Sequence, residues 1–141
     1  AKVARNHEDA VAILSQALDD GSAMDRFAAM VAAQGGRWTG ELPVATGYPV
    51  KASRSGFVRQ IDCHAIGSTI VSLGGGRRML GDPIDPAVGI EMHVQIGDRV
   101  DQGQPVLDLH CHASQRKEYA KALMDTVVVT EEPVAARPLV F

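Results

Sequence analysis

Gly74, Gly75 and Gly76 run straight into Arg77 and Arg78, and no other stretch of the sequence points so directly to chemistry. Glycine loses more backbone entropy on ordering than any other residue. A run of three therefore marks a backbone that must bend sharply or pass very close to something. Bare N–H groups beside fixed positive charge suit an anionic partner such as phosphate. The segment Asp85-Pro-Ala-Val-Gly-Ile90 follows shortly after. The same residues also fit a mobile surface turn with solvated arginines, and both readings stay open until the context of the glycines is known.

Other constellations are weaker. Five histidines and two cysteines invite a metal, with Cys63-His64 and His110-Cys111-His112 as candidate ligands. Zinc ligands are usually spaced by two or more residues so that they converge on one ion. On a strand His110 and His112 share a face while Cys111 points away, so hydrogen-bonded or solvated histidines are the better reading and no metal is expected. Neither cysteine sits in a motif that marks a reactive thiolate. No G-x-S-x-G elbow, Walker loop or dinucleotide fingerprint occurs. Asp82, Asp85, Glu91 and Asp98 are scattered carboxylates that nothing in the sequence pairs.

Composition bounds the function. The chain has 141 residues, 45% hydrophobic and 22% charged, with net charge −3. That length suits one domain with an attached helical segment. The acidic balance argues against broad binding to nucleic acid or anionic membrane. No apolar run approaches the ~20 residues of a bilayer span, and no signal-peptide pattern is found. A cytoplasmic location with reduced thiols is the expectation. The sequence starts without methionine just ahead of a helix, which reads as a piece of something longer.

The elements that must position these residues follow from periodicity. Asn6 caps a predicted helix whose stripe is Ala10, Val11, Leu14, Ala17 and Leu18, ended by Gly21. Ser22 is expected to cap a second helix with Met24, Phe27, Ala28 and Val31 inward, closed by Gly35-Gly36. A glycine- and proline-rich loop over residues 37–49 marks the boundary, with Trp38 available to anchor it. Strand character begins at Val50 and resumes over Phe57–Ile61, where Phe57, Arg59 and Ile61 alternate with Val58 and Gln60. Asp62 caps a predicted helix over 63–73 with Ile66, Ile70 and Leu73 on one face, although Thr69-Ile70-Val71 also permits a strand. Strands are predicted at Ile90–Gln95 and Val106–Cys111, joined through turns at Gly97-Asp98 and Gln102-Gly103. Ser114 is expected to cap a last helix with Tyr119, Ala120 and Leu123 inward. Val127–Thr130 closes the fold as a strand, and Glu131-Glu132-Pro133 starts a tail.

The stretch Val94–Leu107 resembles the hairpin of biotinyl and lipoyl carrier domains. Those domains expose a lysine at a tight turn. Here Lys51 is expected to begin a strand and Lys117 and Lys121 lie on the last helix, so the architecture is shared and the carrier function is not implied.

Taken together, Asp20–Phe27, Met30–Gly36, Gly56–Val58, Leu73–Arg78, Asp85–Gly89 and the Gly97–Pro105 pattern closely resemble the C-terminal region of thymidine and pyrimidine-nucleoside phosphorylases. The likeness runs in order over nearly the whole chain. It implies an α+β fold: a helical hairpin over 1–36, then over 37–141 a mostly antiparallel, β-sandwich-like domain of barrel-sandwich-hybrid, carrier-like type with flanking helices. It implies a pentosyltransferase of nucleoside salvage that splits pyrimidine nucleosides with phosphate. Phosphate is then a co-substrate and no cofactor is expected. Partners would be nucleoside and phosphate in a cytoplasmic homodimer, with no nucleic acid and no membrane. The family's phosphate loop and its arginine–serine–lysine set for the base belong to earlier sequence, so no catalytic residue is expected here and the isolated chain should be inactive. Gly74, Gly75, Gly76, Arg77 and Arg78 would form a loop that borders the substrate cleft and helps close it. A nucleoside-monophosphate phosphorylase and a non-catalytic binding module are the alternatives.

Overall fold

Local capping sets where the helices begin. The structure, a computed structural model, describes residues 3–136, so residues 1–2 and 137–141 at the outer ends of the two expected domains lie outside it. Helix α1, His7–Asp19, starts where the side chain of extended Asn6 accepts the Asp9 N–H at 2.8 Å, which satisfies one of the orphan donors of a helix start. Helix α2, Ser22–Ala33, starts otherwise than expected: Ser22 is its first helical residue, not its cap. Left-handed Gly21 (φ 81°) turns the chain, and the Asp20 carboxylate accepts the Ser22 N–H at 2.9 Å. Glycine takes that backbone at little steric cost, so one residue both ends α1 and opens α2.

Residues up to Glu41 form one compact unit and residues from Leu42 onward another. In the first, neither α1 nor α2 buries a residue. Trp38 packs edge-to-face on Phe27 with ring centroids 5.1 Å apart, so α2 itself is what anchors the loop.

The second unit holds, in chain order, β1 (Gly47–Lys51), β2 (Gly56–Ile61), α3 (Cys63–Ile70), β3 (Gly89–Met92), β4 (Arg99–Val100), β5 (Pro105–His110), α4 (Arg116–Leu123) and β6 (Val127–Thr130). The strands make two antiparallel three-stranded sheets, ordered β1-β5-β3 and β4-β2-β6, with no closed barrel. This is the α+β architecture expected. Its core joins Val50, Leu107 and Leu109 of one sheet to Val58, Val100, Val127 and Val129 of the other, sealed by Ile66, Leu73 and Leu123 from the helical segments. Burying each of these side chains contributes about 1.5–3 kcal/mol.

Several boundaries shift for reasons of long-range pairing. β1 starts at Gly47 rather than Val50 because Gly47 and Tyr48 pair with His110 and Leu109. Lys51 consequently ends a strand instead of beginning one. In β2 a register break between Val58 and Gln60 interrupts the expected alternation, and Val58 alone is fully buried. The stretch 94–107 is not one hairpin: β4 pairs with β2 in one sheet and β5 with β1 and β3 in the other, so the chain crosses between sheets there. β3 stops at Met92, short of Gln95, after which the His93 N–H makes one more bond to the Val106 carbonyl at 3.0 Å. Ser114 makes no capping bond; α4 begins after Gln115. Among the described residues no helix is long and apolar enough to cross a membrane.

Candidate functional site at the glycine bend

Helix α3 delivers the glycine–arginine segment. Asp62 caps it by accepting the Ala65 N–H at 2.9 Å, and Ile66 and Thr69 are buried beneath it. The strand alternative for Thr69–Val71 is thereby settled in favour of helix. The helical path runs on from Val71 to a kink at Gly74, whose φ 104°, ψ 0° is not helical, and the chain leaves through extended Gly76. A left-handed glycine is a common way for a helix to end.

The three glycines do different work. Gly74 supplies the left-handed reversal that a side chain would strain. A Cβ on Gly75 would come within 2.8 Å of Ile70 Cγ2 and 3.2 Å of Val88 Cγ2, and one on Gly76 within 2.8 Å of Val71 Cγ2. The close approach implied by the sequence is therefore to the chain itself: the bend folds back on the end of its own helix and on the Val88 leg.

Three successive carbonyls beyond the end of α3 find partners. Tyr119 Oη donates to the Ser72 carbonyl at 3.1 Å, Gln115 Nε2 to that of Leu73 at 3.3 Å, and the Asp85 N–H to that of Gly74 at 2.8 Å. Beyond the bend the Asp82 carboxylate accepts both the Arg78 and Met79 N–H groups, at 3.1 and 2.9 Å. That two-donor turn orders the tip, which exposes Met79 and Leu80. Arg77 and Arg78 are exposed, and among the described residues neither guanidinium has a hydrogen-bond or ion-pair partner. The five sequence-predicted residues Gly74–Arg78 thus form one contiguous bend with two uncommitted cations.

The return leg is fixed by Asp85, whose carboxylate accepts the Ala87 N–H at 2.9 Å and lies 2.7 Å from His112 Nε2. The Ala87 amide first, and His112 second, hold the Asp85 carboxyl below its ordinary value. A shallow hollow of about 410 Å³ opens beside this pair, lined by Pro43, Ala45, Tyr48, Ala87, Cys111 and His112. Arg116 stacks 4.0 Å above the Tyr48 ring at its edge.

The remaining candidates fall into separate contacts. His110 Nδ1 is 2.8 Å from the Ala45 carbonyl and its Nε2 is 3.7 Å from Glu91, while His93 pairs with Asp108 at 3.1 Å. Asp98 accepts the Gln95 N–H at 2.9 Å. The carboxylates that the sequence left unpaired therefore each have a partner, and none pairs with another. Cys63 is exposed at the start of α3, Cys111 is buried, and both are free. Burial pushes the Cys111 thiol up, only partly countered by Arg116. Among the described residues no three His, Cys, Asp or Glu side chains converge as a metal site would require. Sequence reasoning missed Gln115 altogether and read Tyr119 only as core. The polar ends of two residues four apart, Gln115 at the cap of α4 and Tyr119 within it, were the available signal, since that spacing shares a helix face.

This geometry sits inside a recognisable sequence family. A family model for the pyrimidine nucleoside phosphorylase C-terminal domain matches residues 57–131, from β2 through the residue after β6, and spans the bend, its return leg and α4. The match covers more than half of the chain, and so the chain belongs to the pyrimidine nucleoside phosphorylase C-terminal domain family.

Proposed function

We propose that this chain is the C-terminal portion of a thymidine or pyrimidine-nucleoside phosphorylase, a dimeric cytoplasmic enzyme of nucleoside salvage. In the reaction a phosphate oxygen forms a bond to C1′ while the C1′–N bond to the base breaks. The electron pair leaves with the base nitrogen, which takes a proton. Positive charge develops on the sugar ring and negative charge on the base. Preorganised N–H donors and cations lower the barrier by holding phosphate and the departing base.

The observation that carries this reading is the family match over an ordered bend whose two guanidiniums have no partner among the described residues. In the proposal that bend borders the substrate cleft. Gly74 sets its direction, and Arg77 or Arg78 reaches across to tether the closed state or to meet phosphate. In the proposal, the residues that hold phosphate and base belong to other parts of the enzyme. Two assays test the idea. The isolated chain should show no phosphorolysis of thymidine, and measurable turnover by it would refute the incompleteness. In the longer enzyme, Arg77→Ala with Arg78→Ala should lower kcat/KM by at least about tenfold, the scale of lost charge-assisted hydrogen bonds; unchanged kinetics would remove the bend from the mechanism.

A further inference from the structure

We infer that Gln115 and Tyr119 on the α4 side are positioning residues for the glycine bend, clamping successive carbonyls of its root so that Arg77 and Arg78 leave the domain in a fixed direction. The functional half of this inference rests on the cleft-edge reading proposed above; the clamp itself does not.

A helix ordinarily ends with carbonyls satisfied by water or by the next few N–H groups of its own chain. Here Ser72, Leu73 and Gly74 are each held from elsewhere, by the Tyr119 hydroxyl, the Gln115 amide and the Asp85 N–H. The two side chains come from consecutive turns, with the Tyr119 N–H bonded to the Gln115 carbonyl at 3.2 Å, so they move as one body. The Gln115 N–H in turn bonds to the His112 carbonyl at 3.0 Å, and the His112 ring grips Asp85 on the return leg. One short stretch, 112–119, thus holds the root of the bend at Ser72 and Leu73 and its return leg at Asp85.

Gln115 carries a second mark. Its Oε1 is buried and has no hydrogen-bond partner among the described residues. Buried polar atoms are nearly always paired, and leucine would fill the same space without that penalty. Gln115 Nε2 nonetheless donates to the Leu73 carbonyl at 3.3 Å, the longest of the three contacts to the root.

The test starts with amide exchange by NMR in this chain, comparing Tyr119→Phe, Gln115→Leu and the double variant with the parent. The Asp85 amide, bonded to Gly74, and the Arg78 and Met79 amides should exchange about tenfold faster, the scale of one lost hydrogen bond. The β2–β6 ladder amides should stay as they were. A merely structural role would speed the ladder amides together with the loop. Unchanged exchange at Asp85 in a folded double variant overturns the clamp, and so does a uniform acceleration. If the double variant does not fold, Tyr119→Phe alone decides, since it keeps the ring. In the longer enzyme the same variants should lower kcat several-fold while leaving the nucleoside KM in place. An unchanged kcat beside accelerated loop exchange overturns the positioning role in turnover. Absence of phosphorolysis in the unaltered longer enzyme overturns the phosphorylase reading instead, and leaves the clamp to the exchange data.

Discussion

The helical pair before Glu41 and the α+β unit after it are written in similar amphipathic patterns, yet only the second has a buried core. Stripes such as Val11-Leu14-Leu18 are enough to form α1, but no residue of α1 or α2 is buried. In the second unit Val58, Leu107, Leu109 and Leu123 are completely sealed. A periodic stripe specifies a helix, whereas a core needs faces brought together from distant sequence. Leu107 and Leu109 have such faces because β5 is the middle strand of its sheet.

Substitutions sharpen that contrast. Leu107→Ala or Leu109→Ala should lower the unfolding free energy of the second unit by about 2–5 kcal/mol, read by denaturant titration. Leu14→Ala and Leu18→Ala should stay within about 0.5 kcal/mol. A comparable loss from Leu14→Ala would mean that the two units unfold as one, and the comparison would break. Gly56→Ala comes next. Its Cβ would stand 2.3 Å from the Thr130 carbonyl at φ 150°, so a loss of roughly 1–3 kcal/mol is expected from overpacking and strain. Gly21→Ala, with φ 81° but open space around it, should cost only about 1 kcal/mol, since strain acts alone. Equal effects at the two glycines would show that conformation, not close packing, governs both.

A smaller effect concerns pH. Asp85 is held below its ordinary value of 3.8 by the Ala87 amide and then by His112. The folded state therefore binds that proton less readily than the unfolded chain. The contribution is fully present above pH 3.8 and disappears as pH falls through the lower folded value. The Ala87 amide shift should titrate in that acid window, and Asp85→Asn should abolish the step. A titration centred above 3.8 would contradict the assigned contacts.

How much was legible depended on range. Asn6 and Asp62 as caps, and Gly74 as the stop of α3, were readable because each acts on residues three or four positions away. The glycine run announced a bend and a close approach, and both are there. What it approaches was not readable, since Val88 lies thirteen residues on. The two-residue strand β4 was invisible because only its pairing to β2 makes it a strand. The register break in β2 turned a clean alternation into a misleading one. Asp85 with His112, and Tyr119 with Ser72, join residues 27 and 47 apart, and nothing local encodes such meetings. Ser114 and Ser22 show the opposite error: good capping types stood one position from the residues, Gln115 and Gly21, that the backbone placed at the caps.

The two thiols give the molecule a built-in reporter. Cys63 faces solvent at the head of the helix that carries the bend, whereas Cys111 is enclosed and its thiolate disfavoured. A maleimide dye will therefore attach at one site in the folded state, and uptake of a second equivalent will count the molecules whose interior has come apart.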